Sequence, residues 1–443
     1  MRLRFISIKG QSLGLACFVV AVNASAATMA FNTSSPWMFG DWDGSRSQLE
    51  NNGISFQAGY TMEAATNFSG GYNSSTTARY SDQENIGINL ELDKLLNWKD
   101  TEFQFTVTNR DGQNLSDLVA DPRTGMLSSA QEVYGRGQTW RLTQLWLRKG
   151  LFDNVLDIKA GRLTVGEDFD NFDSKFQNLA FGSGQAGNWR GDHWYNWPVS
   201  QWGVRTRVNF TPEVFLQTGF YNQNPYNYAR GDGFRFEFSP TEGNLIPVEL
   251  GWKPVLGKDK LPGNYRLGYY YSSTRDPVYS SYHNGDYGDK SSHSYGGYIL
   301  LQQQLTALKN EPDRGLSLTL QAVMNDHKTA KIDNYQSIAA TWKGFMDNRP
   351  QDEIGVGVAR IHVNSDYTNM VHTQNRENGV YNYDSPLYLP VQKGSEYDYE
   401  IYYNIHIADW LQIRPNLQYV SAPGAVHQVD NAFIGGIGAN IAF

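Results

Sequence analysis

Between Ala180 and Gly203 the chain reads AFGSGQAGNWRGDHWYNWPVSQWG, gathering Trp189, Arg190, Asp192, His193, Trp194, Tyr195 and Trp197 in one glycine-flanked stretch. Flat indole faces pack on the C–H faces of a pyranose ring, while arginine and aspartate hydrogen-bond hydroxyls in place of lost water. The same aromatics could equally be anchors that pack a long loop onto a wall. Further charges recur singly on strand-like stretches: Glu63, Glu91, Arg110, Arg141, Arg205, Arg207, Arg266, Asp398, Glu400 and Arg414. Neither set is a catalytic signature. The histidines (193, 283, 293, 327, 362, 372, 406 and 427) are scattered, and no His-Glu-x-x-His metal spacing or Gly-Lys-Ser/Thr phosphate loop occurs. Asp192-His193 is a weak acid–base pair, and His406 has no identifiable serine partner. The expectation is no enzyme, no metal and no cofactor.

The elements that position these residues alternate with period two. In ISFQAGYTME, Ile54, Phe56, Ala58, Tyr60 and Met62 oppose Ser55, Gln57, Gly59, Thr61 and Glu63. NIGINLEL, QWGVRTRVNF, GLSLTLQAVM, YDYEIYYNIHI and the terminal NAFIGGIGANIAF behave alike, which marks strands with one apolar and one polar face. About sixteen such strands begin near residues 54, 82, 101, 139, 155, 202, 213, 245, 264, 294, 315, 336, 353, 396, 410 and 431. The phase slips around Gln144 and Gly161, where a bulge is expected. The connections alternate too: short ones such as GLFDN and TPE follow even-numbered strands. Long polar ones, about 111–138, 164–201 and 363–395, follow odd-numbered strands. Long loops confined to one end of an up-and-down meander are the pattern of an outer-membrane barrel, with short turns facing the periplasm.

Composition agrees. No apolar run after residue 26 is long enough for a helical span, and the mean hydropathy is −0.52. Yet the 443 residues hold 27 Tyr, 22 Phe, 12 Trp and 43 Gly, as strands apolar on one face alone require. Trp98 and Trp410 fall in short turns, and Tyr60, Tyr269, Tyr271, Tyr397 and Tyr419 on the outward parity near strand ends, as interface girdles do. Arg2, Arg4 and Lys9 precede an apolar run from Leu13 to Val22 and an Ala24-Ser25-Ala26 cleavage pattern, so residues 1–26 read as a signal peptide. Its removal leaves 34 basic against 45 acidic residues, a formal charge near −11 that argues against nucleic acid. Cys17 is the only cysteine, so the exported form holds no disulfide.

These observations lead to a sixteen-stranded antiparallel transmembrane β-barrel over 54–443, with long extracellular loops, short periplasmic turns and a short periplasmic segment over 27–53. A barrel this wide should enclose an aqueous channel, where inward charges stay hydrated. In lipid no backbone group can go unpaired, so the last strand must pair with the first. The terminal strand ending in Phe443 resembles the C-terminal signature by which the barrel assembly machinery recognises and inserts such proteins.

PWMFGDWDGSRSQLENNGISF (36–56), AGRLTVGEDF (160–169), WPVSQWG (197–203) and the Phe443 terminus together resemble the OprB-type carbohydrate-selective porins of Gram-negative outer membranes. The resemblance covers nearly the whole mature chain. It implies inward-folded loops and facilitated diffusion of glucose and related sugars through a constriction lined by arginines and acidic residues, with aromatics nearby. Candidate constriction residues, chosen by inward parity and loop position, are Arg110, Arg141, Arg205, Arg207, Glu63, Glu91, Trp189, Arg190, Asp192 and Trp194. The alternative is a general charge-selective porin without sugar preference. Expected partners are small sugars, outer-membrane lipid and lipopolysaccharide, and the assembly machinery; the barrel is a monomer or a homotrimer.

Overall fold

The alternating stretches form one closed antiparallel sheet in a computed structural model that describes residues 30–191, 193–309 and 311–443. The expected signal peptide, 1–26, lies outside the described residues. Sixteen strands make the wall: β1 (Ile54–Gly71), β2 (Ala78–Glu91), β3 (Thr101–Gly112), β4 (Trp140–Leu151), β5 (Leu156–Leu163), β6 (Gln201–Asn209), β7 (Val214–Gln223) and β8 (Gly243–Trp252). They continue with β9 (Leu261–Ser272), β10 (Ser294–Gln304), β11 (Gly315–Asn325), β12 (Ile332–Lys343), β13 (Glu353–Val363), β14 (Gly394–Ala408), β15 (Leu411–Ser421) and β16 (Asp430–Ala442). A two-residue pairing of Val255–Leu256 with the start of β9 extends the wall locally. Each strand pairs with its sequence neighbours, and β1 also pairs with β16 in a register that sets Tyr60 opposite Ile441 and Ala64 opposite Ile437. The sheet therefore has no free edge, the condition for crossing lipid.

Outward positions are apolar and exposed around the circumference, among them Phe56, Ile86, Phe105, Leu147, Val204, Leu250, Ile338, Val356, Ile401 and Ile437. Tyr269, Tyr271, Tyr397, Tyr419 and Trp98 are exposed at the ends of this band, as the girdle pattern anticipates. The segment before β1 packs across the β1–β16 seam. Phe39 stacks on Phe443 at 5.4 Å, the Met38 N–H donates to the Ala442 carbonyl at 2.8 Å, and the Arg46 guanidinium donates to the carbonyls of Phe443 (2.8 Å) and Phe56 (3.1 Å).

The two phase slips have different causes. Near Gln144 the ladder jumps from Thr106–Gln144 to Val107–Leu142, so Thr143 is the extra residue of a bulge. At Gly161 the β4–β5 register runs on without a jump. There the irregularity is Arg162, a charge on the outward parity opposite Leu145 and Trp202. It is tolerated because the 224–242 loop folds over it and supplies the Asn227 Oδ1 acceptor at 3.3 Å, while Ser200 supplies its backbone oxygen at 2.7 Å.

Two loops fold into the barrel and position the site: L2 (113–139) and L3 (164–200). L3 buries Phe169, Phe176, Phe181, Trp189 and Trp194 against inward tyrosines of five strands, Tyr221, Tyr270, Tyr298, Tyr335 and Tyr402. Four of those rings, Tyr221, Tyr270, Tyr298 and Tyr402, lie over a glycine that faces them across the ladder; a Cβ on Gly268 would sit 2.0 Å from the Tyr298 ring. The inner wall is thus dry on one side, beneath L3, and polar on the other.

Candidate functional site

The polar side is built where β1–β3, β15 and β16 face L2 and L3. Inward parity brings Thr61, Gln83, Arg110, Arg414 and Asn440 to one surface, and the loops close over it with Glu132, Tyr134, Arg136, Glu167, Asn171, Ser183, Asn188, Asn196 and Trp197. Together they line a cavity of about 550 Å³, within the size range of small-molecule sites.

Its side chains are held by specific bonds. Arg110 donates through Nε to Gln83 Oε1 at 2.8 Å, and the same oxygen accepts the Trp197 indole N–H at 3.0 Å. Arg414 reaches to 3.8 Å from Glu63 Oε1, and the Val133 N–H donates to Glu63 Oε2 at 3.2 Å. This reach depends on Gly438, which pairs with both Glu63 and Arg414 in the ladder. Its missing side chain leaves room for the guanidinium, since a Cβ there would sit 3.1 Å from Arg414 Nη2. Glu167 accepts from Gln144 Nε2 and Thr164 Oγ1, both at 2.5 Å. Asn196 accepts the Trp194 indole N–H at 3.0 Å and donates to Asn188 Oδ1 at 3.0 Å and the Gly184 carbonyl at 2.8 Å.

The loops are pinned by carboxylates on β14. Glu396 accepts the N–H groups of Leu127 (3.1 Å) and Ser128 (2.8 Å), and Glu400 those of Gln177 (2.9 Å) and Asn178 (2.7 Å). Asp398 accepts from Asn178 Nδ2 at 3.0 Å. Inward charges read from parity as groups facing solute, Asp398 and Glu400, are therefore taken up in holding L3. Charged acceptors make the stronger class of hydrogen bond, and each also satisfies loop amides that would otherwise be buried unpaired.

The residues expected at a constriction divide accordingly. Arg110 lines the cavity, and Glu63 lies directly behind Arg414. Arg141 is buried and donates to the carbonyls of Arg136 (2.6 Å), Asn227 (2.7 Å) and Tyr228 (2.9 Å), so it clamps two loops. Arg205 pairs with Asp157 and lies 3.5 Å from Asp168, within an ion-pair chain under L3. Arg207 donates to Gln217 at 2.9 Å and covers the Phe215 ring at 4.3 Å. Glu91 sits at the head of a short turn, 2.8 Å from Lys94. Trp189 and Trp194 are in the dry cluster, where their packing is that of anchors. Arg190 pairs with Asp276 at 2.9 Å, reaching across to the loop between β9 and β10. Asp192 lies outside the described residues. Glu132, Arg136, Glu167, Asn188 and Asn196 were missed, because loop residues carry no parity; Arg414 had the parity signal, and Trp197 stood in the quoted stretch.

His193 sets Nδ1 at 2.8 Å from Ser272 Oγ and Nε2 at 3.0 Å from Asp276 Oδ2, in the order of a nucleophile triad. Both His193 and Ser272 are fully buried, and Ser272 Oγ also donates to Gln223 Oε1 at 3.0 Å. These bonds instead tie L3 to β7 and β9.

The family described as carbohydrate-selective porin, OprB family, matches residues 75–443. The chain is 49% identical over 430 residues to Porin B of Pseudomonas aeruginosa, covering 95% of this chain and 94% of that protein. It superposes on the high-pH structure of Pseudomonas putida OprB with a TM-score of 0.90 and 46% identity, covering 94% of this chain and 100% of the other. Against the low-pH structure of the same protein the TM-score is 0.61 with 34% identity, covering 93% and 100%.

Proposed function

The chain belongs to the OprB family of carbohydrate-selective porins, and from that membership we propose that it passes sugars such as glucose by facilitated diffusion, narrowed where L2 and L3 meet β1–β3 and β15. It is an outer-membrane β-barrel transporter and not an enzyme. The observation that carries the reading is the lining of the cavity. Arginine forks (110, 136, 414), carboxylates (132, 167) and amides (83, 188, 196) offer donors and acceptors at close spacing, with the Trp197 ring beside them. A hydroxylated ring can exchange part of its hydration shell for such contacts, whereas a bare ion meets both signs of charge. Binding has to be weak enough to release the solute, in the millimolar range or about −4 kcal/mol.

In the same reading the mature chain begins after about Ala26, residues 27–53 sit at the periplasmic mouth, and lipopolysaccharide surrounds the extracellular rim. Liposome swelling tests the reading. Glucose should enter faster than a neutral solute of equal size lacking hydroxyls, and Arg110→Gln should slow glucose while leaving that solute unchanged. Equal rates for both solutes in the unaltered protein would favour the general charge-selective porin.

A further inference from the structure

The outer face of β13 departs from its own rule. Ile354, Val356 and Val358 face lipid, but the next outward positions in VARIHV are Arg360 and His362. β13 has 11 residues, which at about 3.4 Å each and about 40° tilt span about 28 Å. Arg360 is three residues before the extracellular end of that strand, so it stands in the outer leaflet, roughly 8 Å below the rim. Its Nη1 donates to Asn334 Oδ1 (2.6 Å) and Gln336 Oε1 (2.9 Å), both neutral acceptors. Among the described residues no carboxylate lies within 4 Å of its guanidinium. Asp333, the neighbouring acid, is engaged by His362 Nδ1 at 2.7 Å and His327 Nδ1 at 3.4 Å. A lipid-facing cation without a counter-charge is costly and calls for an anion.

Directly below Arg360 the wall is hollow. A groove of about 560 Å³ runs along the lipid face of β10–β14, lined by Ile299, Leu301, Leu320, Ala322, Ile338 and Val358, with Gln336, Arg360 and Tyr397 along its polar side. Five neighbouring strands at about 4.8 Å spacing make this face about 19 Å wide. That is room for several acyl chains side by side, under one cation.

We infer that this groove is a specific site for a phosphorylated, multiply acylated glycolipid of the outer leaflet, its phosphate on Arg360 and its acyl chains on the apolar wall below. Charge complementarity argues for the anionic head, the width of the groove for more than two chains, and the height of Arg360 for the extracellular leaflet. The site lies outside the barrel and does not depend on which solute passes within.

The test is native mass spectrometry of the detergent-purified barrel titrated with bisphosphorylated lipid A, its dephosphorylated form and phosphatidylglycerol, with heat-modifiable gel migration as the check of folding. The unaltered chain should take up one lipid A, and binding should fall at least tenfold on dephosphorylation. Arg360→Gln, which removes a charge from the lipid face and so keeps the barrel folded, should lose at least tenfold, and Arg360→Lys no more than about threefold. Ala322→Trp, which fills the groove, should also lose tenfold; if that variant misfolds, Arg360→Gln alone decides. Equal binding by Arg360→Gln, equal binding of the dephosphorylated lipid, or equal or tighter binding of phosphatidylglycerol overturns the proposal. So does a barrel dimer that Ala322→Trp dissociates, which would make a second copy the occupant.

Discussion

Replacing Trp194 by alanine should open the channel without unfolding the barrel. Trp194 is 0% exposed and meets Phe169, Tyr270 and Tyr298 edge-on with centroids 6.2, 5.9 and 5.8 Å away. Its indole N–H also fixes Asn196, which in turn holds Gly184 and Asn188. Truncating a fully buried Trp costs about 3–5 kcal/mol, and three edge-on ring pairs at about 0.5–1.5 kcal/mol each are consistent with that range. None of these contacts belongs to a strand ladder, so the loss falls on the docking of L3. The ratio of docked to undocked loop should drop by about two to three and a half orders of magnitude, since about 1.4 kcal/mol is tenfold. The assays are single-channel conductance and limited proteolysis. Conductance should rise, cleavage should appear within 164–200, and the heat-modifiable band should persist. Unchanged conductance with an uncut L3 would refute the reasoning that the aromatic cluster anchors a pore loop.

Other consequences are equally direct. Glu396→Gln should loosen L2, because the carboxylate that accepts the Leu127 and Ser128 N–H groups becomes a neutral amide; at about 1–3 kcal/mol for a buried charged bond, protease sites should appear in 113–139 at unchanged barrel stability. In the turn before β13, burial opposes ionisation of Asp352, but Arg349, Tyr403 and the His406 N–H outweigh it and hold its pKa below the ordinary 3.8. A depressed carboxylate stabilises the fold above its unfolded pKa and loses that contribution as pH falls through the folded value. The contribution of Asp352 to the midpoint of heat modification should therefore be constant from pH 5 to 7 and be lost below about pH 4, so that Asp352→Asn should lower the midpoint at neutral pH and leave a smaller difference from the unaltered protein in acid.

The wall was legible in the sequence because lipid outside and water inside impose period two on every strand. Where that contrast fades, so did the reading. β2 starts at Ala78 and β12 at Ile332, each four residues before the alternation becomes clean. Their extracellular ends carry Asp82 and Glu84, and Asn334 and Gln336, on the outward parity, where that face no longer needs to be apolar. Parity likewise found Arg110, Glu63 and Arg414 as inward groups. It could not separate Arg110, which faces the cavity, from Arg141, whose donors are taken by carbonyls 86 and 87 residues away. The sockets for Trp189 and Trp194 are assembled from tyrosines on separate strands, and that of Trp194 also from the glycines opposite Tyr270 and Tyr298, a juxtaposition that no local window displays. Glu132 and Arg136 reach the cavity because L2 is pinned to residues distant in sequence, Glu63 before it and Glu396 far along the chain.

The central claim is a water-filled path whose narrow part binds sugar weakly, and a glucose titration of the open-channel current in a planar bilayer tests it most directly. Glucose should lower the ion current saturably with half-effect in the millimolar range, and Arg110→Gln should move that midpoint about tenfold upward, the worth of one charge-assisted hydrogen bond of about 1.5 kcal/mol. A current that stays constant across the titration while small ions pass freely would contradict it.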